Sequence, residues 1–142
     1  MLYRICAALL LLATVGHTFG GMLGTARRGP AAGPDADRVL ADMKSVHFNW
    51  RGTDTTWYAF WLGLGLCVTA AWLVPIVALW VMGGFDPLIL QTTPIRVIAW
   101  TICASMALTS WLGFRYFGSR PGVGFGLVAI LTAVANVLAA RG

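Results

Sequence analysis

The sequence predicts an all-α fold, a bundle of four transmembrane helices with a short interfacial amphipathic helix in the first loop. Hydrophobic residues make up 58% of the 142 residues and charged residues only 11%, with no glutamate, whereas about 25% of a soluble domain is charged. Mean hydropathy is +0.77. Four apolar stretches each have about 18 residues or more, enough to cross about 30 Å of hydrocarbon. We therefore expect residues 1–142 to form a single integral membrane domain.

The net charge of +5 lies at the ends of the apolar segments and in one loop. This distribution is typical of contact with anionic lipid headgroups rather than with nucleic acid. We accordingly expect membrane lipids as partners, and no nucleic acid. Each of the three cysteines lies in an apolar run with no second cysteine or histidine at ligand spacing, so no disulfide framework, metal site or cofactor is predicted. They are Cys6, Cys67 and Cys103.

The first span, predicted over residues 2–23, contains the stretch Gly16-His17-Thr18-Phe19-Gly20-Gly21. His17 is the only histidine, aspartate, lysine or arginine well inside an apolar segment. Gly16, Gly20 and Gly24 have the spacing of a close helix contact in lipid. The alternative is a removed signal peptide, cleaved near Thr18-Phe19-Gly20. Because apolar character and the glycine seam continue past that poor cleavage site, the sequence favours a retained helix.

The first loop begins with helix-breaking glycines and prolines up to Pro34. A helix over about residues 36–48 follows, because apolar residues and His47 recur at i, i+3, i+4, i+7 and i+11. Asn49 and Gly52 then turn the chain. The second span is predicted over residues 56–82, where Asp54 or a threonine can cap the helix and Pro75 can bend it. An aromatic belt is predicted at its start, at Trp57, Tyr58 and Trp61.

The third and fourth spans are predicted over residues 95–114 and 123–140, separated by a reversal over residues 118–122. Seven lysines and arginines lie in or beside the first and third loops, against three in the termini and second loop. This bias places the first and third loops in the cytoplasm and both termini outside. The predicted location is a multi-pass protein of the inner, or plasma, membrane.

Polar side chains inside the spans are expected to face the bundle interior. Thr101, Ser105 and Thr109 form one stripe, while Thr132 and Asn136 share a face of the fourth span. Helix rise puts His17, Ser105 and Thr109 at one depth, below a mouth made by His47, Asp54, Trp57 and Tyr58. The predicted ligand-binding residues are His17, Thr18, Ser105, Thr109, Trp57 and Trp61.

Each of these residues also has an ordinary structural interpretation. His17 can donate a hydrogen bond to a neighbouring span, the hydroxyls can hold helices together, and Asp54 can cap a helix. The leading hypothesis is a non-enzymatic protein that binds a small lipid or quinone-type ligand, or an accessory subunit of a larger membrane complex or homo-oligomer. The alternative is an intramembrane isomerase or cyclase on a lipophilic substrate, with His17, Asp54 and Tyr58 as candidate catalytic residues. A haem-binding subunit is a third, weaker hypothesis.

Three segments resemble a group of small bacterial four-helix membrane proteins, loosely DoxX-like. The segments are Gly16-His17-Thr18-Phe19-Gly20, Val39-Leu40-Ala41-Asp42-Met43, and Phe48…Gly52 leading into Trp57-Tyr58-Ala59-Phe60-Trp61-Leu62-Gly63-Leu64-Gly65. The resemblance implies a four-helix integral membrane fold and no established activity. The family pattern has an acidic residue where Ala59 stands and a basic one near Thr55, so this charged pair is missing here.

Overall fold

A computed structural model describes residues 1–30 and 32–141, and it confirms the predicted all-α class. Four of its helical segments are long and apolar enough to cross a membrane: Leu2–Arg28, Trp57–Met82, Thr93–Phe117 and Ser119–Arg141. The first and third extend beyond the predicted ends at residues 23 and 114. They stop where Gly29 (φ 82°) and Gly118 (φ 93°) adopt positive φ, a conformation that ends a helix without the steric cost a Cβ would bring.

The regular elements follow one another along the chain with short connections. In order they are α1 (Leu2–Val15), a π-helical segment (Gly16–Met22), α2 (Leu23–Arg28), α3 (Pro34–Ser45), β1 (His47–Trp50), β2 (Thr53–Thr56), α4 (Trp57–Met82), α5 (Pro87–Leu90), α6 (Thr93–Leu112), a second π-helical segment (Gly113–Phe117) and α7 (Ser119–Arg141).

The chain divides into two compact units, one of residues 1–13 and 72–142 and the other of residues 14–71. We call them the core unit and the hairpin unit. The boundary in α4 follows Ala71, whose carbonyl loses its usual helical hydrogen-bond donor because Pro75 has no N–H. That residues 1–142 form one integral membrane domain stays a prediction.

The hydrophobic core lies in the core unit. Its α7 face repeats at helical spacing, with Phe125, Val128, Ala129 and Thr132 all buried. Thr132 is completely buried, and its hydroxyl donates to the Val128 carbonyl 2.8 Å away, so it needs no partner on another helix. The other buried apolar residues of the core are Tyr3, Cys6, Ala7, Leu10, Ile76, Leu79, Met82, Ala99, Ile102, Met106 and Ala135.

The backbones of the Gly113 π-helical segment and α7 approach closely. A Cβ added at Gly113 would lie 2.9 Å from the Gly122 nitrogen and 3.0 Å from its Cα. The buried Ser110 hydroxyl donates to the Gly122 carbonyl across the same contact, at 2.7 Å. Small residues thus allow the approach and a hydroxyl satisfies the carbonyl, as is usual for helix pairs in lipid.

Tyr3 and Asn136 form a buried hydrogen bond between α1 and α7. The Tyr3 hydroxyl donates to Asn136 Oδ1 at 2.8 Å. Among the described residues, the only buried side-chain nitrogen or oxygen without a partner is Asn136 Nδ2. The prediction that Asn136 holds helices together is therefore confirmed for its side-chain carbonyl oxygen, which accepts this hydrogen bond from α1.

Replacing Tyr3 with phenylalanine should lower the free energy of unfolding by about 1 kcal/mol, because Asn136 Oδ1 is left buried without a donor. Unfolding in mixed micelles, followed by circular dichroism, measures the change. Tyr116→Phe is the matched control, since the Tyr116 side chain is 66% exposed. An equal loss in both variants would contradict the assignment.

In the hairpin unit, α3 confirms the predicted loop helix but not its end. Pro34 occupies the first turn, and Asp35 and Asp37 lie near the positive helix end, as capping electrostatics favour. The helix stops at Ser45, so the prediction that His47 lies on its apolar face is wrong. His47 instead begins β1, because residues 47–50 pair with residues 53–56.

The β-hairpin replaces the simple turn predicted at Asn49 and Gly52. Its loop has two residues, Arg51 (φ 51°) and Gly52 (φ 93°), and positive φ at both defines a type I′ turn. The Asn49 side chain accepts from the Gly52 N–H at 2.8 Å. At the end of β2, the Thr56 hydroxyl accepts from the Ala59 N–H at 3.1 Å, so a threonine caps α4.

Candidate functional site

His17 and Thr18 lie in the π-helical segment Gly16–Met22. Such segments are rare and occur often at functional sites, because the wider turn costs stability and redirects side chains. Thr18 is buried and His17 half-buried. The position predicted to carry chemistry is therefore also a local irregularity of the helix, which sequence analysis did not predict.

His17 contacts α4 through its ring. Its Nε2 lies 3.3 Å from the Gly65 carbonyl oxygen. A carbonyl can only accept, so this contact requires the proton on Nε2 when the imidazole is neutral. The distance exceeds the usual 2.9–3.0 Å of an N–H···O bond, so this bond is weak and can be exchanged for another.

A short chain of hydroxyls lies beside His17. Thr18 Oγ1 donates to the Thr14 carbonyl at 2.8 Å, and Thr69 Oγ1 lies 2.9 Å from Thr18 Oγ1. Each hydroxyl has a single proton. Because Thr18 gives its proton to Thr14, the Thr69 hydroxyl is the donor to its neighbours, either to Thr18 Oγ1 or to the Gly65 carbonyl 3.2 Å away. The Gly65 carbonyl therefore has two side-chain donors within reach, His17 and Thr69.

Gly65 permits this contact by having no side chain. A Cβ there would overlap the Sδ and Cε atoms of Met22, which is 6% exposed. The thioether of Met22 thus packs directly over the α4 backbone. The polar cluster of His17, Thr18 and Thr69 therefore has an apolar edge that depends on glycine at position 65.

The same face of α4 carries two aromatic residues nearer its N-terminus. Tyr58, Trp61, Gly65 and Thr69 are spaced i, i+3, i+7 and i+11, which is one helical stripe. The rings of Tyr58 and Trp61 have centroids 6.0 Å apart, and Trp61 is about 6 Å along the helix axis from Gly65. An aromatic surface therefore precedes the polar cluster on one face of α4.

The glycine seam is not packed as predicted. A Cβ at Gly16 or Gly20 would meet open space, and one at Gly24 would meet the Phe19 carbonyl of its own helix at 2.8 Å. The prediction that all three glycines mark a close helix contact is therefore wrong. The i, i+4, i+8 spacing of the three glycines puts them on one face only in a regular α-helix. The π-helical segment Gly16–Met22 has a wider turn, so it rotates the residues that follow onto another face.

The residues of the predicted mouth lie in three places in the hairpin unit. His47 Nδ1 lies 3.0 Å from Asp54 Oδ2 on the exposed side of the hairpin, so Asp54 is not the helix cap. Trp57 stacks on Phe48 with centroids 4.5 Å apart, on the opposite, apolar side. Tyr58 lies under the Lys44 ammonium, 5.0 Å from its ring centroid.

Ser105 and Thr109 belong to the core unit, and their predicted depth beside His17 stays a prediction. The Thr109 hydroxyl donates to the Ser105 carbonyl one turn back, at 2.8 Å, and Thr101 likewise bonds Val97. The prediction that this stripe faces the interior is wrong for Thr101 and Ser105, whose side chains are exposed. Back-bonding to the helix lets a hydroxyl face lipid without an unsatisfied proton.

Sequence reasoning missed the α4 half of the polar cluster, Gly65 and Thr69. The available signal was their small-residue spacing of i, i+4 and the position of Thr69 as the only serine or threonine between residues 57 and 82. Met22 carried no signal, because a methionine in an apolar span is ordinary.

No group of three or more histidine, cysteine or acidic residues that could hold a metal ion occurs within residues 1–30 and 32–141. Comparison of the chain with protein families, with curated proteins and with solved structures found no match. The feature of the chain that bears on its function is therefore the geometry of the His17 cluster.

Proposed function

We propose that this chain is a small integral membrane protein that binds a lipophilic ligand of quinone type, with the His17 Nε2–H as the donor to a ligand carbonyl. The observation that carries the proposal is the weak 3.3 Å contact between His17 and Gly65. It presents a polarised N–H within an apolar span, where a hydrogen bond to a carbonyl ligand is worth more than it is in water.

A ligand carbonyl can take the place of the Gly65 carbonyl at low cost. The Gly65 carbonyl lies within α4 and accepts from the helix backbone, as interior helix carbonyls do. Thr69 Oγ1 stands 3.2 Å away as a second donor. Gly65 thus keeps a partner when the imidazole turns to a ligand, and no buried polar atom is orphaned.

The aromatic stripe supports a planar ligand. Tyr58 and Trp61 are half-buried and lie on the α4 face that leads to Gly65. Offset stacking of a quinone ring on such side chains contributes about 0.5–1.5 kcal/mol beyond the area it buries. Trp57, also predicted to bind ligand, packs on the hairpin and serves the proposal only as part of the headgroup-level belt.

A thermal-shift titration of the purified protein with short-chain benzoquinones, naphthoquinones and isoprenoids tests the proposal. A saturable rise in Tm is expected with a quinone for the wild-type chain and for His47→Ala, which removes the other histidine. His17→Ala should fold and lose the rise. No shift with any quinone, or an undiminished shift in His17→Ala, would overturn it.

The proposal includes a place in the cell inner membrane with the first and third loops cytoplasmic, supported by the bias of lysine and arginine. A single cysteine placed at the exposed Ser45 should then react with an impermeant maleimide only after permeabilisation.

The intramembrane isomerase or cyclase stays a prediction, in which Asp54 would have to leave His47 to assist His17. Membership of a larger complex or homo-oligomer also stays a prediction.

A further inference from the structure

A groove at the end of the first long helix joins apolar and cationic residues. Its volume is about 330 Å³, and it is lined by Phe19, Leu23, Gly24, Arg27 and Arg28. All five lie in the hairpin unit. The groove is distinct from the His17 cluster, because none of its lining residues takes part in those hydrogen bonds.

The groove has a fixed polarity along the helix axis. Phe19 and Leu23 lie about 12 Å and 6 Å before Arg27 at the usual helical rise. Phe19 is 63% exposed, so its ring is a free apolar wall. One end of the groove is thus hydrocarbon-like and the other carries two guanidinium groups.

Gly24 forms the floor between these two ends. A Cβ at this position would lie 2.8 Å from the Phe19 carbonyl oxygen and 3.3 Å from Arg28 Nη2. The missing side chain therefore leaves the depression open and lets the Arg28 guanidinium lie back along the helix. The absence of a side chain at Gly24 thus accounts both for the groove and for the position of the Arg28 guanidinium beside it.

Neither guanidinium forms an ion pair in the part of the chain that the structure describes, where the ion pairs are Arg38–Asp35 and His47–Asp54. The carbonyl end of a helix adds only about half a negative charge. The Asp37 carboxylate lies beside Gly29, where a Cβ would be 2.8 Å from Asp37 Oδ1, and offsets at most one of the two charges. The two arginines therefore still leave a net positive charge, which an anion can neutralise.

The place of the arginines in the sequence puts this charge at headgroup depth. Arg27 and Arg28 are the last two residues of Leu2–Arg28, a helical segment long and apolar enough to cross a membrane, and arginines at the end of such a segment lie among the headgroups. Phe19 and Leu23 precede them within the apolar part of the segment and therefore lie among acyl chains.

From this arrangement we infer that the groove is a binding site for one anionic phospholipid. The headgroup phosphate is held by Arg27 and Arg28, whose fork-shaped donors match its oxygens. An acyl chain runs over Gly24 and along Phe19 and Leu23. The inference goes beyond the proposed function, because it assigns a second site with a different ligand.

Native mass spectrometry of the detergent-purified chain, titrated with phosphatidylglycerol or with phosphatidylcholine of the same acyl chains, tests the inference. Phosphatidylglycerol should bind the wild-type chain more tightly. Arg27→Gln and Arg28→Gln should each weaken its binding about fivefold, and the double variant about 25-fold. Phosphatidylcholine binding should change less than twofold.

The double variant Arg115→Gln/Arg120→Gln removes the same charge elsewhere and should leave phosphatidylglycerol binding within twofold. Equal weakening in this control would reduce the effect to net charge and overturn the inference. Displacement of the lipid by millimolar inorganic phosphate would equally overturn it, by assigning a free-phosphate site. Should the double variant unfold, the single variants decide between the same outcomes. His17→Ala should retain lipid binding, so the two sites succeed or fail separately.

Discussion

Replacing Gly113 with alanine is expected to lower the free energy of unfolding by about 3 kcal/mol, near the upper end of the usual cost of overpacking. The added methyl group would lie 2.9 Å and 3.0 Å from the backbone nitrogen and Cα of Gly122. Backbone atoms cannot rotate away as a flexible side chain can, so α7 must shift. That shift also stretches the 2.7 Å bond from Ser110 to Gly122. Equilibrium unfolding in mixed detergent micelles measures the loss.

Gly124→Ala is the matched control, because it lies two residues from Gly122 on the same helix and a Cβ there meets open space. It should leave stability unchanged or raise it by up to about 1 kcal/mol, since alanine favours helix over glycine. Similar losses at Gly113 and Gly124 would mean that the two helices do not approach as described.

Replacing Gly65 with leucine is the second change with a large expected effect, a loss of about 2 kcal/mol in unfolding free energy. The new side chain must occupy the space now held by the Met22 thioether. Moving Met22 out exposes a side chain that is now 6% exposed, and it separates the π-helical segment from α4. The quinone-dependent rise in Tm should disappear together with this stability.

A second substitution makes this prediction specific. Met22→Ala removes the overlapping atoms, so it should recover about 1 kcal/mol when combined with Gly65→Leu, although alone it destabilises. Gly63→Leu provides the control, since a Cβ at Gly63 meets open space and the change should stay within about 0.5 kcal/mol. Additive losses in the double variant would show that Met22 and Gly65 are not in contact.

The helices were predictable from sequence because bilayer thickness and hydropathy determine them together. Four apolar stretches of sufficient length allow only one backbone solution in lipid, unless they close into a barrel. The loop helix was predictable for a similar reason, since Pro34 and Asp35 favour a start there and the apolar residues repeat at helical spacing. The first and third spans end later than predicted because Gly29 and Gly118 at positive φ, rather than the last apolar residue, end them.

The hairpin was not predicted because its signals are short and unusual. His47 fits a helical apolar face by spacing alone, yet four residues on each side of Arg51-Gly52 pair as antiparallel strands. Most two-residue turns of this type have asparagine or aspartate before glycine. Arginine at positive φ is costly, and the apolar packing of Phe48 on Trp57 and Phe60 compensates for it.

For the candidate site, the sequence identifies His17 but not what it faces. An imidazole inside an apolar span is conspicuous by composition, whereas its partners depend on how two helices are rotated against each other. The π-helical segment changes that rotation, and no residue pattern in Gly16–Met22 indicated it. The prediction for the glycine seam failed because it assumed an undistorted helix. Thr101 and Ser105 lie in the regular helix α6, where their spacing correctly puts them on one face but does not tell whether that face points inward.

Disulfide formation between cysteines at positions 18 and 69, in a chain whose three native cysteines are replaced by alanine, tests the contact on which the proposed site depends. The Thr18 and Thr69 hydroxyls are 2.9 Å apart, which brings their Cβ atoms near the separation that a disulfide needs. In native membranes, oxidation should give a rapid crosslink within one chain for Thr18→Cys/Thr69→Cys. It should give none for Thr18→Cys/Ala71→Cys, because Ala71 lies about 200° around α4 from Thr69. Equal crosslinking of both pairs, crosslinks only between two chains, or no crosslink at all would contradict the contact between the first helix and α4.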